Sequence, residues 1–113
     1  IGAVNIDLDI AQFRVTKRVR LGGNKPPEVS IMLTVKNNGD FNDQTRPATL
    51  TGVQNGVIVY TEAQEVSDPL GNGRSRYLFG PYVPTVAGDI AWTMVIADDD
   101  PDDDVATEVT LVR

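Results

Sequence analysis

The strongest constraint on the fold is the last quarter of the chain, which has the pattern of two β-strands joined by an acidic turn. Residues 90–96 are apolar or small at nearly every position, so both faces of this segment are largely apolar. That pattern is typical of a strand in the centre of a sandwich. Six aspartates then surround Pro101, and apolar-polar alternation resumes from Val105 to Leu111. Because an acidic turn around a proline can neither continue a strand nor be buried, a hairpin with a solvent-exposed tip is predicted.

Period-2 alternation of apolar residues recurs along the rest of the chain, and no segment has helical periodicity. Strands are predicted over Val4–Ile10, over Phe13–Leu21 with a break near residues 16–18, over Val29–Val35 and over Arg76–Val83. Of these, Phe13–Leu21 is predicted to be an edge strand. With 113 residues, the pattern predicts one domain, residues 1–113. Its fold class is all-β: an immunoglobulin-like antiparallel β-sandwich of about seven to eight strands, with a small barrel as the alternative.

A second hairpin is predicted over Ala48–Ala63. Asn55-Gly56 between two β-rich runs is the strongest short-range indication of a two-residue type I′ turn. Such a turn predicts four opposed pairs: Gln54 with Val57, Val53 with Ile58, Thr51 with Tyr60, and Leu50 with Thr61. The side chains expected to face the core are those of Leu50, Val57 and Val59, with Tyr60 partly exposed.

Composition excludes several classes of function. The chain has no cysteine and no histidine, so disulfides, thiol catalysis and a Ser-His-Asp triad are impossible. No apolar run approaches the roughly 20 residues of a membrane-spanning helix. Six of the 16 acids lie in residues 98–104, which leaves 10 acids against 10 basic residues elsewhere and no broad basic surface for nucleic acid. We therefore expect no enzyme activity, no nucleic-acid partner and no membrane span.

The aspartates of residues 98–104 are a candidate calcium site. Calcium takes about six to eight oxygen ligands, and alternate aspartates in a turn can converge on one ion. The ligand set would be Asp98, Asp100, Asp102 and Asp104. The run lacks glycine, contains the rigid Pro101 and matches no EF-hand spacing, so a solvated acidic tip without calcium is the alternative.

Two other groups of side chains have both a structural and a binding interpretation. The aromatic group consists of Tyr60, Tyr77, Tyr82 and Trp92. It is interpreted as a core tryptophan with Tyr60 and Tyr82 more exposed, or alternatively as a platform that stacks on a sugar. The basic residues within Arg14–Arg20 are interpreted as a charged edge that discourages strand-to-strand aggregation, or alternatively as a binding patch for an anionic polymer or lipid.

Several segments together resemble a known family. They are Asp7-Leu8-Asp9-Ile10, Thr34-Val35-Lys36-Asn37-Asn38-Gly39, the Asn55-Gly56 hairpin, Tyr77-Leu78-Phe79-Gly80-Pro81-Tyr82, and Gly88 before a hydrophobic strand that ends in an Asp-Pro-Asp turn. This layout, from about Asp7 to the end, resembles the CARDB-type module, an immunoglobulin-like domain of bacterial and archaeal cell-surface proteins. The resemblance implies a non-enzymatic role in adhesion, spacing or assembly.

The expected function is therefore that of an extracellular or cell-surface module, structural or adhesive, acting through contacts with other protein subunits or neighbouring domains. A homo-oligomer or a surface filament is one form of this, and Val4–Ile10 is a candidate strand for exchange into the sheet of a neighbour. The alternative is a carbohydrate-binding module that binds a glycan through exposed tyrosines, assisted by calcium. A chain that begins at Ile1 is expected of a processed protein or an excised domain.

Overall fold

The computed structural model describes residues 8–37, 45–67, 74–97 and 105–113. These ranges contain eight β-strands and no helix. The strands are β1 (Leu8–Val15), β2 (Arg18–Val19), β3 (Val29–Asn37), β4 (Arg46–Gln54), β5 (Val57–Val66), β6 (Ser75–Tyr82), β7 (Ile90–Ile96) and β8 (Val105–Val112). The prediction of an all-β chain with seven to eight strands is confirmed.

The strands form two sheets, one with the order β1-β3-β6 and one with the order β2-β8-β7-β4-β5. Among the described strands every pair is antiparallel except β2 with β8, which is parallel. Both sheets contribute to a shared hydrophobic core, as expected of an immunoglobulin-like sandwich. The strand β7 lies in the middle of the larger sheet and pairs with β8, so the predicted central strand and its hairpin partner are confirmed.

The N-terminal strands have different bounds from those predicted. Residues 11–12, which separate the predicted strands Val4–Ile10 and Phe13–Leu21, lie within the single strand β1. Its register against β3 shifts between Ile10 and Gln12. The chain breaks after Val15, as predicted, but β2 then joins the other sheet. Residues 4–7 lie outside the described ranges. Leu8–Ile10 pairs with β3 of the same chain, which contradicts strand exchange for this part of the N-terminal strand.

The Asn55-Gly56 turn is confirmed, since both residues have positive φ, 53° and 78°, as a type I′ turn requires. Gln54 opposes Val57 and Val53 opposes Ile58, as predicted.

A bulge then shifts the register between Gly52 and Val53. Two predicted pairs are therefore wrong: Thr51 opposes Thr61, and Leu50 opposes Glu62. Leu50 is buried, and Val59 and Tyr60 are half-buried, as expected. The prediction that Val57 faces the core is wrong. Its side chain is 62% exposed, because Val57 lies at the hairpin tip on the edge strand β5.

Trp92 on β7 is the largest fully buried side chain, and its surroundings are fitted to it. Gly52 lies opposite it on β4, where a Cβ atom would come within 2.5 Å of the indole ring, so this position requires glycine. The indole Nε1 donates a hydrogen bond to Thr110 Oγ1 at 2.9 Å, and Thr110 donates to Thr16 O at 2.6 Å. These bonds give the buried polar groups partners and fix the chain where it passes from one sheet to the other.

The smaller sheet has β3 at its centre, and Ile31 and Leu33 of the predicted strand Val29–Val35 are buried. On β6, Phe79 faces the core and Leu78 faces outward with 76% exposure. A register shift opposite Ser30 places a bulge at Gly80, and the Gly80-Pro81 peptide bond is cis.

Candidate interaction surfaces

The outward side of the five-stranded sheet has an unusual composition. Side chains alternate between the two faces of a strand, and the inward positions of β7 are all fully buried: Ile90, Trp92, Met94 and Ile96. The outward positions of β7 are therefore Ala91, Thr93 and Val95. All three are small, and none is charged.

The strand register extends this surface across four strands in three rows. The rows, in the order β5, β4, β7 and β8, are Ile58-Val53-Ala91-Val109, Thr61-Thr51-Thr93-Thr107 and Ala63-Thr49-Val95-Val105. We call these twelve positions the outer-face grid. The grid contains no charged residue, and its middle row consists entirely of threonine.

Several grid side chains are open to solvent: Ile58 is 63% exposed, Val105 57%, Val109 48% and Val95 38%. From the usual spacings of about 4.8 Å between strands and about 6.7 Å between alternate residues, the grid covers roughly 400 Å². The largest apolar patch on a typical monomeric protein covers about 300–600 Å² and is often functional. The grid is therefore the principal candidate interaction surface of the described residues.

The sequence did not reveal this grid because the grid depends on register. The turn at Asn55-Gly56 predicted that Thr51 lies opposite Tyr60, whereas the bulge places Thr61 there. The segment that connects β7 to β8 is several residues long. Its length alone does not define the register in which the two strands pair. The available signal was a threonine in each of four strands, Thr51, Thr61, Thr93 and Thr107, which is meaningful only once the strands are aligned.

The predicted aromatic group is divided between the core and the side of the sandwich. Trp92 is buried, which confirms the core interpretation. Tyr60 and Tyr82 are half-buried and contact Trp92 edge-on, with ring centroids 6.1 Å and 6.0 Å from it. The two tyrosine rings are 5.6 Å apart and inclined at 53°, so they do not form one flat stacking surface. Tyr77 lies elsewhere, and its hydroxyl exchanges hydrogen bonds with the backbone of Ser67.

Glu62 on β5 connects the two sheets at the side of the sandwich. Its carboxylate accepts hydrogen bonds from Tyr60 Oη at 2.5 Å, from the backbone N–H of Gly80 at 2.9 Å and from Gln64 Nε2 at 2.6 Å. Gln64 also donates to the carbonyl of Leu78 at 2.7 Å. Glu62 and Gln64 of edge strand β5 thus hydrogen-bond to the backbone of edge strand β6. These bonds protect the β6 edge from pairing with a strand of another molecule.

These contacts shift two pKa values in opposite directions. Burial opposes the charged form of Glu62, but the hydrogen bonds from Tyr60, Gly80 and Gln64 outweigh it, and the pKa of Glu62 is lower than its ordinary value. The hydrogen bond to Glu62, together with burial and the carboxylate charge, raises the pKa of Tyr60 to about 12. Both groups are engaged with each other, so the pair is a structural contact and not a free acid or base.

Comparison with known proteins identifies the architecture. No family model and no curated protein matches the sequence. Among solved structures, the chain is similar to the crystal structure of the CARDB domain of the PF1109 protein from Pyrococcus furiosus, in complex with di-metal ions. The TM-score is 0.65 with 14% identity, over 99% of this chain and 97% of that one. The chain has a CARDB-like fold.

A solution NMR structure of the same archaeal CARDB domain is also similar, with a TM-score of 0.56 and 15% identity over 96% of this chain and 95% of that one. At these identities the likeness concerns the fold. The CARDB resemblance seen in the sequence is confirmed at that level.

In this CARDB-like sandwich, the predicted calcium ligands Asp98, Asp100, Asp102 and Asp104 lie outside the described residues. Val95 and Val105 pair on either side of them, so the acidic segment joins two neighbouring antiparallel strands. The described ranges contain no group of three or more acidic residues placed to hold a metal ion. They also contain no helix long and apolar enough to cross a membrane.

The basic stretch is divided between two strands in different sheets. Arg14 lies on β1, whereas Arg18 and Arg20 lie on and just after β2, at the edge of the larger sheet. This position agrees with the interpretation as a charged edge. Arg18 and Arg20 also line a cleft of about 410 Å³ together with Lys25. This cleft is where the alternative, a binding patch for an anionic polymer or lipid, would lie.

Proposed function

We propose that this chain is a non-enzymatic structural or adhesive module of an extracellular or cell-surface protein, which acts through protein–protein contacts made by the outer-face grid. The observation that carries the proposal is the grid itself, twelve uncharged positions on four paired strands. The resemblance to CARDB-type modules of cell-surface proteins supports the location. The engagement of Glu62 with Tyr60 and with the β6 backbone supports a non-enzymatic role.

The shape of the grid favours another β-sheet as its partner. Strands in a sheet twist by roughly 20–25° relative to one another, so a four-stranded face is saddle-shaped and does not match a planar surface. Two twisted sheets pack well when their strands cross at about 30°. A neighbouring module or subunit with an exposed sheet face therefore fits the grid.

A second copy of this chain is the partner we expect in solution. A threonine hydroxyl both donates and accepts hydrogen bonds, so the threonine row can satisfy itself against an identical row. No like charges meet when two grids face each other. The roughly 400 Å² of the grid is about half of the ~800 Å² per partner in a standard interface, so association of isolated copies is expected to be weak. Repetition within a longer assembly would strengthen it.

Sedimentation velocity over increasing protein concentration tests this proposal. The wild type is expected to associate reversibly at high concentration, and Thr93→Lys and Val109→Lys to stay monomeric, because each introduces a charge into the grid. Leu78→Lys is the matched control, since it removes a larger exposed apolar side chain from the other sheet. A wild type that stays monomeric at millimolar concentration, or equal loss of association in all three variants, would contradict the proposal.

The carbohydrate-binding alternative has less support. It depends on Tyr60 and Tyr82, whose rings are inclined to one another, and the Tyr60 hydroxyl is engaged by Glu62. Sugar stacking is better served by a flat exposed ring, so the geometry favours protein–protein contacts.

A further inference from the structure

The cleft beside β2 has a marked excess of positive charge. The sequence from residue 10 to residue 27 contains no acid and five basic residues. Three of these, Arg18, Arg20 and Lys25, line the cleft, which lies between β2 and the turn over residues 23–28. The described lining contains one carboxylate, that of Glu28.

The wall formed by β2 is held firmly by backbone hydrogen bonds to β8 and the residue after it. Lys17 O accepts from Leu111 N at 2.8 Å, and Val19 O accepts from Arg113 N at 3.1 Å. Leu21 N donates to Arg113 O at 2.7 Å. The opposite wall contains Pro26 and Pro27, whose rings restrict the backbone. The cleft is therefore formed before any ligand binds, which reduces the cost of binding.

The three cations of the cleft are available to a ligand. Within the described ranges, no ion pair or hydrogen bond engages the side chains of Arg18, Arg20 or Lys25, and all three are exposed. Val105, the first described residue after the acidic segment, lies roughly 20 Å along β8 from Leu111 and Val112, where β2 pairs.

We infer that this cleft binds a phosphate group, a function beyond the contacts proposed for the outer-face grid. Arginine presents a planar set of donors that matches phosphate oxygens in pairs, and lysine adds a point charge. A tetrahedral dianion takes hydrogen bonds from several cations at once, which suits three cations on two walls. The volume of about 410 Å³ is within the range of ligand sites in proteins, about 300–1,000 Å³.

A charged edge that merely prevents aggregation is the competing explanation, and it differs in one measurable respect. Edge protection requires positive charge on β2 but no saturable binding and no contribution from Lys25 in the turn. A phosphate site requires both walls of the cleft. Replacement of Lys25 therefore distinguishes a phosphate site from edge protection, and it leaves the residues of β2 and β8 unchanged.

The experiment is an NMR titration of the wild type at low salt with three probes: inorganic phosphate, a short polyphosphate, and phosphatidylcholine vesicles containing phosphatidic acid. Saturable shifts are expected for residues of β2 and of the 23–28 turn. Arg18→Gln, Arg20→Gln and Lys25→Gln are each expected to weaken binding about tenfold. Arg76→Gln, an exposed arginine on β6, is the control and should bind as the wild type does.

The three probes also identify the source of the phosphate. Binding of inorganic phosphate and of polyphosphate supports a site for free or polymeric phosphate, and binding of vesicles alone supports a lipid headgroup. Thermal melts of each variant establish that the fold is unchanged. Absence of saturable shifts with all three probes, or equal weakening in Arg76→Gln, would overturn the inference.

Discussion

The two faces of the five-stranded sheet differ in a way that polarity alone does not explain. On β8 the inward face buries Thr110 and Val112, whereas the outward face leaves Val105 and Val109 about half exposed. A threonine is thus inside while valines are outside. Burial of Thr110 is tolerated because its hydroxyl accepts a hydrogen bond from Trp92 Nε1 and donates one to Thr16 O. Burial in this sheet is therefore decided by the opposing sheet and by hydrogen-bond partners.

This difference assigns separate roles to the two faces. The inward face contains the large side chains that pack against β1, β3 and β6 and supplies most of the stability. The outer-face grid contains small side chains, so substitutions there remove little packing within the chain. Variants of the inward face should therefore change the free energy of unfolding, and variants of the grid should change association.

The largest expected effect is that of Trp92→Ala. It removes the largest buried side chain and leaves a cavity, so it should lower the free energy of unfolding by about 3–5 kcal/mol. Val95→Ala on the outward face of the same strand should lower it by less than about 1 kcal/mol. Denaturant unfolding measures both. Similar losses in the two variants would mean that the faces do not differ as described.

A threonine on each face of β8 allows a closer comparison. Thr110→Val keeps the shape but leaves Trp92 Nε1 and Thr16 O without their partner, which should cost about 1–3 kcal/mol. Thr107→Val in the grid should change stability by no more than about 0.5 kcal/mol. A stable Thr110→Val variant would show that the buried hydroxyl contributes nothing.

The Tyr60–Glu62 contact predicts a defined pH dependence. Since the pKa of Tyr60 is raised from 10.0 to about 12, its contribution to stability is full below pH 10 and is lost as pH rises towards 12. The lowered pKa of Glu62 stabilises the fold above its ordinary value of 4.5, and this contribution is lost as pH falls through the lower, folded-state value. Glu62→Gln should return the pKa of Tyr60 towards 10.

Ultraviolet titration of tyrosine ionisation, in a Tyr77→Phe, Tyr82→Phe background, isolates the Tyr60 transition. Glu65→Gln is the control, because Glu65 is exposed on the same strand and has no bond to Tyr60. An unchanged Tyr60 pKa in Glu62→Gln would contradict the assigned cause.

The calcium prediction concerns the acidic segment between β7 and β8 and has the smallest expected effect. If Asp98, Asp100, Asp102 and Asp104 bind calcium, millimolar calcium should raise the melting temperature by a few degrees, because a ligand of the native state stabilises it. The double variant Asp100→Asn, Asp102→Asn should lose that rise. A wild-type melting temperature that is independent of calcium would end the hypothesis.

Much of the fold was predictable because local signals agreed with it. The Asn55-Gly56 turn, the alternation of Val29–Val35 and the apolar segment around Trp92 each indicated the strand that the structure shows. The passage of the chain from β1 to β2 was not predictable, since it depends on bonds between residues 16–19 and the end of β8.

The candidate surfaces were less predictable, because they arise from alignment between strands. The register shift between Gly52 and Val53, with Val59 as the extra residue of β5, changes every later pair of the β4–β5 hairpin, and with them the threonine row. Alternation along β8 also does not indicate which face is buried. Composition had identified the basic stretch, but its division between two sheets and its cleft depend on the topology.

The concentration dependence of amide and methyl NMR spectra of the wild type tests directly whether the outer-face grid is a contact surface. If the outer-face grid is the contact surface, resonances of Thr93, Val95 and Val109 should shift between micromolar and millimolar concentration, and those of Met32 and Leu78 on the other sheet should not. Thr93→Lys should abolish the shifts. Spectra that do not change with concentration, or shifts confined to the β1-β3-β6 sheet, would show that the outer-face grid is not the contact surface.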